Sequence, residues 1–143
     1  MKKIITISER ETFNFGLTLG KKCRGGEVFA LCGNLGAGKT KLLQGLAKGL
    51  GVRSLITSPT FNILKLYTAA GKIKNFCHID AYRLKSEKDL IFLGVKEFFD
   101  SPETVTAIEW AEKVKKIWPR NVKIIKIKAI SENQREITFS ASR

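Results

Sequence analysis

The run Gly33-Asn34-Leu35-Gly36-Ala37-Gly38-Lys39-Thr40 follows the spacing G-x-x-x-x-G-K-[ST], a set of residue types suited to holding a chain of phosphates. Glycines at 33, 36 and 38 let backbone N–H groups turn inward around anionic oxygens. Lys39 would reach the β- and γ-phosphates of a nucleoside triphosphate, and the Thr40 hydroxyl would hold Mg²⁺. The flanks fit this task. The continuous apolar run Val28-Phe29-Ala30-Leu31-Cys32 reads as a strand covered on both faces, and Leu42, Leu43, Leu46, Ala47 and Leu50 line one side of a following helix. A glycine-rich turn that merely joins strand to helix is the bland alternative, and the coincidence of spacing with this context speaks against it.

A phosphate loop needs a carboxylate at the end of a neighbouring strand to organise the metal and the attacking water. Asp80 closes Phe76-Cys77-His78-Ile79, and Glu109 closes Val105-Thr106-Ala107-Ile108, so both qualify. Which of them would position water is open at this level, and either could instead be a surface carboxylate paired with a lysine. Thr60, in Thr57-Ser58-Pro59-Thr60-Phe61, lies where a switch loop would bring a second hydroxyl to the metal, although a proline turn capped by Ser58 and Thr60 explains the same residues. His78, the sole histidine, reads as packed or solvated rather than catalytic. Trp110 would contact nucleotide or fill the core margin, and Arg83 would touch phosphate or pair with Glu87.

These residues need a scaffold. Ile4-Ile5-Thr6-Ile7 reads as a strand, followed by a helix that opens on a capping box of Ser8 and Glu11 and ends near Cys23. The helix after the phosphate loop is closed by Gly49 or Gly51, and Arg53 to Thr57 reads as another short strand. Phe61 to Tyr67 and Lys72 to Ile79 form a hairpin around Ala69-Ala70-Gly71. Helical turns follow from Ser86 to Phe92 and from Val95 to Phe99, then a buried strand from Thr104 to Ile108. Val122 to Ile130 and Arg135 to Phe139 supply two last strands around the turn Ser131-Glu132-Asn133. The expected fold is α/β, a three-layer sandwich whose central sheet mixes parallel and antiparallel strands.

Composition narrows the setting. Residues 1–143 match the size of one compact domain, with 43% hydrophobic residues and no repeat or low-complexity tract. No apolar run approaches the ~20 residues that span a bilayer, and the start lacks the features of a signal peptide, so a cytoplasmic protein without membrane contact is expected. Cys23, Cys32 and Cys77 lack a C-x-x-C pair and read as reduced apolar fillers. Twenty-six Lys and Arg against 13 Asp and Glu leave a formal charge of +13, which suits either a lysine-rich solvated surface or a patch that faces RNA.

Taken in order, the phosphate loop, Thr57-Ser58-Pro59-Thr60-Phe61, His78-Ile79-Asp80-Ala81-Tyr82-Arg83-Leu84, Leu93-Gly94-Val95 and Ile108-Glu109-Trp110-Ala111-Glu112 resemble the TsaE family (formerly YjeE) over nearly the whole length. That family comprises bacterial P-loop ATPases required for the threonylcarbamoyladenosine modification of tRNA. The resemblance implies a P-loop NTPase fold and a Mg²⁺-dependent ATPase with weak turnover by itself. It also implies action with two partner proteins, TsaB and TsaD, which transfer the threonylcarbamoyl group, with tRNA met directly or through that complex. By the same resemblance the nucleotide site comprises Asn34, Leu35, Gly36, Ala37, Gly38, Lys39, Thr40, Lys41, Thr60 and Trp110. Lys39 would act in catalysis, Thr40 and Glu109 would hold Mg²⁺, and Asp80 would be needed for hydrolysis.

Four positions depart from the family pattern: Asn34 for Asp, Lys41 for Thr, Ala81 for Leu and Ala111 for Pro. None removes a phosphate or metal ligand. Three other readings compete. A small-molecule kinase would need an acceptor pocket and a lid, for which the sequence offers little material. A GTPase would need N-K-x-D and D-x-x-G motifs, which do not occur, so ATP is the expected nucleotide. A basic RNA-binding module with a regulatory nucleotide fits the charge but lacks an aromatic-interleaved recognition sequence.

Overall fold

The computed structural model describes residues 1–34, 36–59 and 62–141. Among the described residues, seven strands form one sheet: β1 (Lys2–Thr6), β2 (Val28–Cys32), β3 (Leu64–Thr68), β4 (Asn75–Asp80), β5 (Thr104–Glu109), β6 (Lys123–Ala129) and β7 (Arg135–Ala141). Their spatial order is β1-β7-β6-β2-β5-β4-β3. The centre is parallel, with β2 between β5 and β6 and with β4 beside β5, while β3, β7 and β1 add antiparallel edges. The sheet is thus mixed, as the alternation of apolar runs and hairpin turns implied.

Alternation along each strand divides the core into two layers. On one face Phe29, Leu31, Phe76, Val105, Ala107, Ile125 and Ile127 pack against α1 (Glu9–Lys22) and α2 (Lys39–Gly49). On the other, Val28, Ala30, Cys77, Ile79 and Ile108 meet α3 (Lys88–Phe92), α4 (Val95–Asp100) and a kinked 3-10 segment, Ala111–Ile117. Helix α1 begins where the sequence indicated, with the Ser8 hydroxyl accepting the Glu11 N–H at 3.1 Å and Glu9 and Glu11 in the positive first turn.

Helices α1 and α2 approach more closely than side chains normally allow. A Cβ at Gly16 would overlap the Leu42 carbonyl oxygen, and one at Gly45 would overlap the Phe13 carbonyl oxygen. Backbone-to-backbone packing of this kind leaves α2, and therefore the phosphate loop at its start, little freedom to shift.

Two expectations need correction, and one element was not anticipated. Arg53 to Thr57 forms no strand: Val52 and Ile56 are buried, Leu55 is exposed, and the Gln44 side chain donates to the Ile56 carbonyl at 3.2 Å. The reason is that its backbone is tied to α2 rather than laid along the sheet: the Val52 N–H donates to the Ala47 carbonyl, and the Ile56 carbonyl is taken by Gln44. The first strand covers Lys2–Thr6 rather than Ile4 to Ile7, because its register is set by pairing with β7, from Lys2 opposite Phe139 to Thr6 opposite Arg135. The 3-10 segment after Trp110 was not anticipated.

Candidate functional site

The P-loop runs from the end of β2 to the first turn of α2. Gly36 and Gly38 adopt φ of 78° and 103°, a left-handed geometry that side-chained residues rarely accept. Helix α2 begins directly at Lys39, so its unpaired N–H groups and positive dipole end face the same space. Thr40 is exposed there. A loop of this backbone geometry at a helix start suits an anion.

Lys39 is buried, and its ammonium group donates to the carbonyls of Gly33 and Asn34, the latter at 3.2 Å. The same nitrogen lies 3.9 Å from the centroid of the Trp110 ring. Burial lowers the Lys39 pKa from its ordinary value, and the nearby carboxylates of Glu109, Glu112 and Asp80 partly offset that. Trp110 is the only described non-glycine residue with positive φ, at 55°. That conformation costs on the order of 1 kcal/mol for an L-residue. It presents the indole to Lys39 and to Tyr82, whose ring lies 4.9 Å away.

The two carboxylates come together by register. Asp80 and Glu109 stand directly opposite each other at the ends of parallel β4 and β5, and Leu31, just before the loop, pairs with Glu109 from the other side. Both acids project to the α2 face, since they alternate with Ile79 and Ile108. Asp80 is half-buried, and its Oδ1 accepts the Tyr82 N–H at 2.9 Å. Burial raises its pKa above the ordinary carboxylate value; the bond from Tyr82 pulls it back and the charge of Glu109 pushes it further up. Glu109 is buried and bonded through Oε2 to Nε2 of His78 at 2.8 Å.

A cleft of about 530 Å³ lies over this cluster, a volume in the range of small-ligand sites. Residues 36–41, Asp80, Glu109 and Trp110 line it together, so the structure gathers most of the residues singled out by sequence. Lys41 stands at its edge, 4.0 Å from Glu9. Asn34 is exposed and outside the lining; its carbonyl serves Lys39 and the Ala37 N–H. Ser58 lines the cleft, while Leu35 and Thr60 lie outside the described residues. Arg83 is exposed and does not line it.

The two flanks of the cleft were not foreseen. Ser8 and Thr12 at the start of α1 close one side, and Asn133 and Arg135 of the β6–β7 hairpin close another. Arg135 donates to the carbonyls of Ser131, Glu132 and Gln134, and its other terminal nitrogen reaches the Gly36 carbonyl at 3.4 Å. An arginine 99 residues along the chain from the loop it touches leaves no local spacing signal.

Among the described residues no group of three or more His, Cys, Asp or Glu forms a protein-only metal cage. A hydroxyl and two adjacent carboxylates beside an anion cradle instead suit a hard divalent ion that takes part of its shell from phosphate and water. Mg²⁺ fits that donor set.

A family model described as "Threonylcarbamoyl adenosine biosynthesis protein TsaE" matches residues 6–137. The chain belongs to the TsaE family. Curated TsaE proteins, named for tRNA threonylcarbamoyladenosine biosynthesis, include one from Treponema pallidum that is 36% identical over 138 residues, covering 96% of this chain and 99% of the relative. The TsaE of Bacillus subtilis is 35% identical over 136 residues, covering 95% and 83%. The crystal structure of YdiB from the same organism superposes with a TM-score of 0.79 at 34% identity, covering 99% of this chain and 86% of that one. The α/β P-loop NTPase architecture and the TsaE family assignment therefore agree.

Proposed function

We propose that this protein binds ATP with Mg²⁺ in the cleft, hydrolyses it slowly when alone, and serves as the nucleotide-driven accessory of a TsaB–TsaD transferase that forms N6-threonylcarbamoyladenosine on tRNA. The observation that carries the reading is the convergence of Lys39, Thr40, Asp80 and Glu109 at one end of the parallel sheet, beneath a nucleotide-sized cleft. The names of the relatives support the pathway.

In this reading the amides of residues 36–40 hold the phosphates, and Lys39 exchanges its carbonyl contacts for β- and γ-phosphate oxygens. Thr40 and Glu109 would hold Mg²⁺, which would supply charge neutralisation when bound. Asp80, tethered by the Tyr82 amide, orients the attacking water. Trp110 walls the phosphate end of the cleft, and Arg135 with Asn133 borders it on the β6–β7 side. ATP occupancy favours assembly with the partner pair, and hydrolysis resets it. A single compact domain in the cytoplasm suits the one continuous sheet and the three free cysteines.

The test is ATP turnover measured alone and with purified TsaB and TsaD, for the wild type, Asp80→Asn and Glu109→Gln. Stimulation by partners in the wild type and its loss in both variants is expected. Equal rates with and without partners would sink the coupling.

Direct contact with tRNA gains support from one surface. Lys3, Thr138 and Lys126 share a row across β1, β7 and β6, and Lys128 shares the next row with Glu136, on the sheet face opposite α1 and α2. Lys3, Lys126 and Lys128 are exposed, a placement suited to a phosphodiester backbone. tRNA affinity that is unchanged on replacing the three lysines by glutamine would remove this second reading.

A further inference from the structure

His78 is the sole histidine and one of the largest side chains buried completely. It lies on β4 between Phe76 and Asp80, on the face that carries both site carboxylates. Opposite it on β5 is Ala107, whose small side chain leaves room for the imidazole to reach diagonally to Glu109, two residues further on. Nε2 meets Glu109 Oε2 at 2.8 Å, with side-chain exposures of 0% and 5%. Phe76 stacks on the ring, 6.1 Å between centroids and 18° between planes. Nδ1 has no partner.

Burying an imidazole with half its hydrogen-bonding capacity unmet is costly, and a phenyl ring would fill the same space without that cost. The geometry points to a use that outweighs it. We propose that His78 is a positioning residue: it donates Nε2–H to Oε2 of Glu109 and fixes the carboxylate so that its other oxygen is presented to the metal beside Thr40. The inference rests on the reading of Glu109 as a Mg²⁺ ligand. The orphaned Nδ1 selects the tautomer, because a hydrogen there would be a buried donor without an acceptor, whereas a bare lone pair is the cheaper omission.

The need for such a partner follows from the side chains themselves. Asp80 is short, and the amide of Tyr82 holds its Oδ1 by a local turn. Glu109 has a longer side chain, and no comparable turn holds it; the histidine of the neighbouring strand restricts its rotamers before the metal arrives. The two acids thus reach the same end of the sheet with one oxygen each committed to the protein.

The test uses the full chain with His78→Phe, which keeps the ring volume and loses the donor, and His78→Gln, whose amide nitrogen replaces Nε2. Mn²⁺ binding in the presence of a non-hydrolysable ATP analogue is read by electron paramagnetic resonance, beside the Mg²⁺ dependence of turnover and the melting temperature. His78→Phe is expected to weaken metal binding about 10- to 100-fold. Affinity for the analogue in EDTA should be unchanged, and His78→Gln should recover metal binding to within a few-fold of the wild type. Metal affinity equal in all three proteins overturns the proposal, including the case where only the melting temperature moves, as does a His78→Gln variant as impaired as His78→Phe. Glu109→Gln is measured alongside: if it leaves metal binding intact, the assignment of Glu109 fails, which is distinguishable from loss in Glu109→Gln with no effect at His78. Should His78→Phe not fold, the comparison of His78→Gln with the wild type still decides, because a retained donor must retain the metal.

Discussion

Lys39 holds its ammonium nitrogen 3.9 Å from the centroid of the Trp110 ring while donating to the carbonyls of its own loop. A cation over an indole face is held by the ring quadrupole, by about 0.5–2 kcal/mol depending on desolvation. The pairing also links the lysine of the P-loop to a ring whose fluorescence reports its environment. Trp118, the other tryptophan, points elsewhere, with its Nε1–H on the Ala111 carbonyl at 3.1 Å.

A Trp118→Phe variant should therefore show an ATP-dependent change in fluorescence that arises from Trp110 alone. Withdrawal of the ammonium onto phosphate removes a charge from the ring face. Lys39→Ala is expected to abolish both nucleotide binding and the signal. An ATP-dependent signal of wild-type size in Lys39→Ala would show that the ring senses something other than this contact.

Asp80 has a raised pKa, with burial as the main cause, so its ionised form is less stable in the folded protein than in the unfolded chain. Between the ordinary carboxylate value and the raised one the native state binds more protons, so this group's contribution favours folding at low pH and is lost as pH rises through that window. Asp80→Asn keeps an oxygen for the Tyr82 amide and removes the charge. Thermal denaturation should show the variant melting higher than the wild type at pH 7, with the gap closing toward pH 3, while ATP hydrolysis falls. A gap that widens on acidification would reverse the sign argued here.

Gly16→Ala and Gly45→Ala should each destabilise the fold by about 2–3 kcal/mol, because the added methyl meets a backbone carbonyl rather than a movable side chain. Since α2 carries the phosphate loop at its first residue, ATP affinity should fall with stability. Urea unfolding beside nucleotide titration checks both, and wild-type stability in either variant would mean that α1 and α2 are not locked as described.

Arg135→Ala should weaken ATP binding about tenfold, the equivalent of roughly 1.4 kcal/mol, with little change in turnover at saturation. The guanidinium borders the cleft and spans from its own turn to Gly36, away from Asp80 and Glu109 on the opposite side of β2. Arg135→Lys keeps the charge without the fork geometry and should recover only part of the affinity. Unchanged nucleotide affinity in Arg135→Ala would leave that residue a role in the hairpin alone.

Much of the molecule was legible because its signals are local. The P-loop needs its glycines, lysine and threonine in fixed order to wrap an anion, so spacing alone announces it. Ser8 and Glu11 announce the start of α1, and continuous apolar runs announce β2 and β5, since each rests on the backbone's own periodicity. Asp80 and Glu109 were found because each ends such a run. The strand expected over Arg53 to Thr57 failed for the converse reason: Ala47 and Gln44 of α2 bond the Val52 N–H and the Ile56 carbonyl and hold the segment off the sheet, a tertiary contact that no local pattern records.

By itself, then, the sequence determined a P-loop motif between strand and helix, two strands that end on carboxylates and the α/β class. Tertiary structure alone decided which strands lie side by side. That choice set Asp80 opposite Glu109, brought Arg135 from the far end of the chain onto the loop, and turned His78 from an ordinary strand residue into the partner of Glu109. Such contacts depend on sheet order and register, and these are fixed by how all seven strands share one core rather than by the residues on either side of any one of them.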